Sequence, residues 1–269
     1  MTDPHVALVT GASSGIGRAT AELLAQRGFR VFGASRGTPD PLPSGIADAW
    51  VAMDVRDESA VKQGVAEVLA RTGRIDALIA SAGYSVFGSV EELPLEKARE
   101  QIETNLIGAL ATIRAVLPAM RKARRGRIVV VGSLAGRAPI PFQAHYSATK
   151  AALDALTLAL RVEVAPFGIG VSLIEPGDIR TAFNDHMDWG DMSGSAYAER
   201  LRSCERVVRE SLPKAPGPEV VAQVIYRALA ARRPRVRYTV GPDSRLVPLG
   251  RRLLPDWLSL ALIGHHFDV

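Results

Sequence analysis

A single cysteine, Cys204, leaves this chain of 269 residues with no partner for an intrachain disulfide. A disulfide-stapled scaffold is excluded, and a reducing compartment is the expected setting. No stretch approaches the roughly 18 apolar residues a membrane span requires, and Trp257 to Ile263 falls far short. Met1-Thr-Asp-Pro-His5 offers no basic region followed by an apolar run, so no secretory leader is expected and the cytoplasm is the expected location. Charge of one sign is not in large excess: 33 Lys and Arg face 28 Asp and Glu, a net charge of +5. Nucleic acid would need a clustered basic face, and it is not an expected partner; no metal site is expected either. The one basic cluster is C-terminal, where Arg232, Arg233, Arg235, Arg237, Arg245, Arg251 and Arg252 interleave with apolar residues. It reads as the solvated end of a domain, or as a peripheral contact for anionic lipid or a partner protein.

Internal repeats and low-complexity linkers are absent too. Apolar residues at 47% and charged residues at 23% match an ordinary globular domain. At roughly 100–200 residues per domain, the length allows one or two; the even texture favours one domain over 1–269.

Short apolar runs alternate with longer helical patterns, as in a parallel sheet with crossover helices. Strands are expected at Val6–Thr10, Phe29–Ala34, Trp50–Met53, Ile75–Ala80, Ile128–Val131, Ile169–Ile174 and Val236–Val240. Helices are expected over Ile16–Gly28, around Val61, Val65, Val68 and Leu69, and from Pro94 through Asn105 towards Arg121. Two more are expected over His145–Pro166 and Glu219–Ala231. Between about 178 and 218 the pattern weakens into a substrate loop with short helices. A C-terminal extension, about 241–269, contains a proline-broken amphipathic tail from Leu246 to Ile263.

Thr10-Gly11-Ala-Ser-Ser-Gly15-Ile-Gly17 lies between the first strand and the first helix. Glycines there permit a tight turn, and the helix N-terminus offers free N–H groups to a pyrophosphate. After the second strand, Ser35 and Arg36 stand where an acid would grip a ribose 2′-OH; arginine suits a 2′-phosphate, so NADP is preferred over NAD. Asp54 is placed to accept from an adenine amino group with Val55 beside the ring, or else to cap the following helix.

Tyr146 and Lys150 stand four residues apart, with Ser133 thirteen residues upstream at the end of an apolar strand. On a helix such residues lie about 5–6 Å apart at Cβ, close enough for the ammonium to lower the phenol pKa. A proton-transfer site is the expectation.

Gly11 to Gly17, Asn105, Ser133, Tyr146, Lys150 and Pro176-Gly177, in that order, resemble the short-chain dehydrogenase/reductase family. The likeness is close from Val6 to about Thr181 and loose beyond. It implies an α/β fold of doubly wound Rossmann type, with a mainly parallel seven-stranded sheet flanked by helices and a C-terminal helical extension. It also implies hydride transfer between NADP(H) or NAD(H) and a carbonyl or secondary alcohol. Tyr146 would exchange the hydroxyl proton and Ser133 position the reacting oxygen. Lys150 would depress the Tyr146 pKa and hold the nicotinamide ribose, and Asn105 would anchor a relay water. Gly11, Ser13, Ser14, Gly15, Ile16, Gly17, Ser35, Arg36, Asp54, Val55, Ala82, Gly83, Tyr146, Lys150, Pro176, Gly177, Ile179 and Thr181 would contact the cofactor. Where the family has Asn-Asn-Ala-Gly, this chain has Ala80-Ser81-Ala82-Gly83, and Ser81 replaces only part of the missing bracing.

Substrate contacts are expected from Ser133, Phe142, Gln143, Tyr146, Phe183 and Met187, within the loops Tyr84 to Phe87, Ala135 to His145 and Phe183 to about Leu212. Phe87, Pro139, Ile140, Trp189, Met192 and Tyr197 complete an apolar set suited to a hydrophobic ketone or alcohol. This looks more like the hydroxysteroid and retinol dehydrogenase branch than the acyl-carrier-protein reductases. The helices Pro94–Arg121 and His145–Pro166 would form the face of a homodimer or homotetramer. Two other functions stay open: a non-catalytic NADP-binding regulator, and a serine hydrolase through Gly11-Ala-Ser13-Ser-Gly15, although that serine stands on the first strand rather than deep in the chain.

Overall fold

Seven strands, all parallel, form one sheet in the order β3-β2-β1-β4-β5-β6-β7. They are β1 (Val6–Thr10), β2 (Arg30–Ser35), β3 (Trp50–Ala52), β4 (Ala77–Ala80), β5 (Gly126–Val131), β6 (Ile169–Pro176) and β7 (Arg237–Val240). The computed structural model describes residues 4–46, 49–181, 187, 193–244 and 246–269. The central strands are mostly apolar because helices cover both faces; all five residues of β1 are buried.

Strand periodicity divides the core in two. Leu8, Phe32, Leu78, Ile128, Val130 and Val171 point to one side, against α2 (Glu58–Thr72), α4 (Gly108–Ala123) and α5 (Ala144–Val164). Ala7, Val9, Val31, Ile79, Val129 and Ile174 point to the other, against α1 (Gly15–Gln26) and α7 (Glu219–Ala230). Two-residue alternation along a strand produces this separation without any change of residue class.

Helix ends follow local chemistry. Asp57 caps α2, its carboxylate accepting from the Ser59 and Ala60 N–H groups at 2.8 and 3.2 Å, and Gly73 ends it in the left-handed region at φ 71°. The helix expected from Pro94 to Arg121 is two: α3 (Leu95–Ile102) and α4, joined by a π-helical turn at Glu103–Ile107. The weak pattern expected to give only short helices holds a 14-residue one, α6 (Ala198–Ser211). The C-terminal tail is broken where expected, into α8 (Leu246–Leu253) and α9 (Asp256–Phe267), with Pro255 capping the second.

The strand order reverses between β1 and β4, and a crevice opens there beyond their C-terminal ends, where open α/β sheets place their ligands. Gly17 makes this crevice possible. A Cβ on it would run into the Gly11 carbonyl oxygen, so α1 could not lie this close to the strand-leaving turn. Gly17→Ala is expected to lower stability by about 1–3 kcal/mol, read from urea midpoints. Gly37→Ala, which meets nothing within 4 Å, should leave them unchanged. Equal effects would contradict this packing.

Candidate active site

The chain leaves β1 through Gly11, whose φ of 67° and contact with Ala82 exclude a side chain: a Cβ there would lie 2.8 Å from the Ala82 Cα. Gly15, at φ 53°, opens α1. Ser14 precedes it in extended backbone without a side-chain cap, so the first N–H groups of α1 stay available to an anion. Gly11, Ser13, Ser14, Gly15, Ile16 and Gly17 all line one cavity of about 1090 Å³. Ser13 makes no hydrogen bond to a histidine among the described residues.

Bracing of β1 against β4 falls to Thr10 rather than Ser81. The Thr10 hydroxyl accepts from the Ser81 and Ala82 N–H groups at 3.1 and 3.3 Å and donates to the Ile79 carbonyl at 3.5 Å. A buried threonine at the strand end thus makes good the missing asparagine, a role the sequence reading did not assign to it. Ala82 and Gly83 then line the cavity.

Ser35, Arg36, Asp54 and Val55 border the same cavity at the ends of β2 and β3. The Ser35 hydroxyl donates to the Gly37 carbonyl. Arg36 is exposed, with no hydrogen bond or ion pair to a described residue. Asp54 does not cap α2; that role belongs to Asp57. Its carboxylate instead accepts from the backbone and side chain of Arg56, the closest approach being 2.7 Å, and that hydrogen bonding holds it below the usual carboxylate range. Arg56 also lines the cavity, a second cation at this end that the sequence reading passed over.

Ser133, Tyr146 and Lys150 converge at the centre. Ser133 follows β5, and its oxygen accepts from the Ala135 N–H at 3.1 Å and hydrogen-bonds the Tyr146 phenol. Gly136 lets this turn press onto α5, since a Cβ there would sit 2.8 Å from the Lys150 carbonyl carbon. The Lys150 ammonium lies 5.5 Å from the Tyr146 ring centre and donates to the Val131 carbonyl at 3.0 Å. Asn105 occupies the π-helical turn. Its side chain donates to the Tyr84 carbonyl at 2.9 Å and to the Thr149 hydroxyl at 3.3 Å, and accepts from the Tyr84 N–H at 3.0 Å.

The electrostatics depart from expectation in one respect. Burial pushes the Tyr146 phenol up to about 12, opposed by its hydrogen bond with Ser133, and Lys150 does not offset this in the chain alone. Burial also pushes Lys150 down to about 8. Tyr146 is half-buried because its ring borders the cavity, but the phenol is surrounded densely enough for burial to dominate.

Pro176, Gly177, Ile179 and Thr181 complete the far wall. Just before them Glu175, only 1% exposed, receives both arms of Arg137 at 2.6 Å. This fork ties the turn after Ser133 to the end of β6. Burial raises the Glu175 pKa, with Arg137 opposing.

Of the expected substrate contacts, Gln143 and Met187 line the cavity, as do Pro139 and Ile140. Phe142 does not: held at φ 60°, it meets Tyr197 edge-on with ring centres 6.3 Å apart. Phe87 is fully buried and does not line the cavity. Phe183, Trp189 and Met192 lie outside the described residues. Val207, Val208 and Ser211 of α6, inside the expected stretch from Phe183 to about Leu212, line the cavity; the sequence reading missed the wall beside them, formed by Leu246, Val247 and Gly250 of α8, Leu254 after α8, and Leu262, Ile263 and His266 of α9. Helical spacing of Val247, Gly250 and Leu254 was the signal available.

A family model described as short chain dehydrogenase matches residues 5–189. The chain is similar to a 3-ketodihydrosphingosine reductase of Bacteroides thetaiotaomicron, 35% identical, with 94% of each chain covered. It is also similar to a 17-beta-hydroxysteroid dehydrogenase type 1 of Mus musculus, 32% identical over 94% of this chain and 78% of that one. Among solved structures, a short-chain dehydrogenase from Streptomyces avermitilis superposes with a TM-score of 0.83 at 34% identity, covering 97% of this chain and 98% of that one. An F189W actinorhodin polyketide ketoreductase with NADPH gives a TM-score of 0.76 at 30% identity, over 90% and 97%.

The depressed Lys150 pKa has a measurable sign. The unfolded chain holds this proton up to about 10.5 and the folded chain only to about 8, so the group's contribution to stability rises with pH between those values. Lys150→Met should therefore be more stable than the parent below pH 8 in urea titrations, with the gain fading towards pH 10.5. A gain independent of pH would contradict the assignment.

Proposed function

The chain belongs to the short-chain dehydrogenase family, and we propose that it interconverts a hydrophobic ketone and its secondary alcohol with NADP(H) in preference to NAD(H). The reaction class, nicotinamide-dependent hydride transfer at a CH–OH or carbonyl carbon, is that of the family. The convergence of Ser133, Tyr146 and Lys150 on the cavity that also holds the Gly11–Gly17 turn carries the reading.

The residues fit a dinucleotide. Gly11 and Ala82 allow close approach, the α1 N-terminus is uncapped, and Arg36 stands exposed at the end of β2 with Arg56 nearby. When bound, the cofactor supplies or accepts the hydride. Tyr146, protonated at neutral pH by its burial, gives its proton to the carbonyl oxygen in the reducing direction. Ser133, already hydrogen-bonded to that phenol, positions the same oxygen. Lys150, with a pKa near 8, can reload Tyr146, and Asn105 holds the backbone beside it.

Support for a hydrophobic substrate comes from the apolar walls of α6, α8 and α9. Two relatives named for a ketodihydrosphingosine and a hydroxysteroid agree in chemical character. Gln143 and Met187 are the proposed substrate contacts. A homodimer or homotetramer is proposed through α4 and α5, where Ile107 before α4 and Val162 on α5 are exposed. No described helix is long and apolar enough to cross a membrane.

Tyr146→Phe should lower kcat by about 10²–10⁴-fold while leaving NADPH binding by fluorescence almost unchanged, and Lys150→Ala should harm both. Turnover retained in Tyr146→Phe across steroids, retinal, fatty ketones and quinones would remove the proposal. Arg36→Asp should move the ratio of kcat/KM for NADPH over NADH towards NADH; an unchanged ratio would take Arg36 out of cofactor selection.

A further inference from the structure

Gln143 brings an unpaired amide to the cavity wall. It is 3% exposed, and its side chain makes no hydrogen bond to a described residue. Its backbone is fully engaged: the N–H donates to the Ile140 carbonyl at 3.1 Å, and the carbonyl accepts from the Ser147 N–H at 2.9 Å as α5 begins. An amide carries two donors and an acceptor, and burying them unmatched is costly. A core role would match them within the chain, as Tyr84 and Thr149 match Asn105.

The residue before it is strained. Phe142 sits at φ 60°, a conformation that bulky side chains rarely adopt and that persists only where surrounding bonds impose it. Here the Phe142 carbonyl accepts from the Gly88 N–H at 2.9 Å, and the Ile140 N–H donates to the Ser147 hydroxyl at 3.1 Å. The turn so held sends the Phe142 ring towards Tyr197 and leaves Gln143 in the wall.

Position and charge narrow what this amide can meet. Gln143 stands three residues before Tyr146, which places their Cβ atoms about 5–6 Å apart. A substrate whose carbonyl oxygen meets the phenol therefore presents to Gln143 the atoms about two or three bonds from its reacting carbon. The described lining residues of the turn after Ser133 and of α6, α8 and α9 include no lysine, arginine or carboxylate. Lys150 donates to Val131, and Asp178, which lines the cavity after Gly177, would repel an anion. A carboxylate or phosphate is disfavoured at this place, and a neutral oxygen fits the amide. We propose that Gln143 determines specificity by hydrogen-bonding a second, neutral oxygen of the substrate, a hydrophobic ketone with a carbonyl or hydroxyl group β to the reacting carbon. This deepens the ketone reading above and rests on it.

The enzyme would be assayed with NADPH on an ethyl β-keto ester with a heptyl tail and on the plain ketone of the same chain length. The ratio of their kcat/KM values is expected to fall about tenfold in Gln143→Leu, the worth of one good hydrogen bond, while the urea midpoint does not fall. Gln143→Glu, whose carboxylate accepts but does not donate, should retain a β-hydroxy ketone better than the keto ester. An unchanged ratio in Gln143→Leu, with both ketones still turned over, would overturn the assignment. So would a lowered urea midpoint with both ketones impaired alike, the mark of an amide that serves the fold. Wild type that reduces neither ketone would instead remove the oxidoreductase reading, and this proposal with it.

Discussion

The hydrogen bond from the Lys150 ammonium to the Val131 carbonyl fixes the position of everything else in the site. It joins α5, which carries Tyr146, to the end of β5, which leads into Ser133. A buried ammonium is costly unless its donors are met, so the helix cannot slide along the sheet without leaving this one unsatisfied. Gly136 allows the approach and the Arg137–Glu175 fork closes it from behind. The proposed catalytic groups thus sit at a joint between a strand end and a helix, Tyr146 and Lys150 on α5 and Ser133 just after β5, the arrangement that holds atoms to short tolerances.

The same burial sets the chemistry available to the chain by itself. A phenol near 12 is an acid at neutral pH and a lysine near 8 is close to giving up its proton. Both shifts arise from loss of water around the two groups.

The sheet was legible because parallel strands buried on both faces read as apolar runs, and all seven expected strands are found with small shifts at their ends. That Ser133, Tyr146 and Lys150 would come together was legible in their spacing, and their roles only through the family resemblance. Thr10 was not, since its role is to meet N–H groups seventy residues away that only folding brings near. The pKa direction was misjudged for a related reason: four-residue spacing gives proximity, but says nothing of how much water the tertiary fold removes. Phe142 looked like a substrate contact because it is aromatic and precedes α5; its left-handed backbone turns it towards Tyr197. The inner row of α8, Val247, Gly250 and Leu254, carries helical spacing, but so does the exposed row Leu246, Leu249 and Leu253, so spacing and polarity could not say which row faces the cavity.

Asn105 stands buried in the π-helical turn Glu103–Ile107, and the wider turn there does more than place one side chain. Regular α-helix advances about 100° per residue, so one residue more or fewer between α3 and α4 would rotate one helix's buried row against the other's. Ala98 and Gln101 upstream and Ile113, Val116 and Met120 downstream are buried on either side of this turn. The turn acts as a phase adjuster for two stretches of core, and the residue that reaches Tyr84 and Thr149 occupies a place that helix geometry has already reserved.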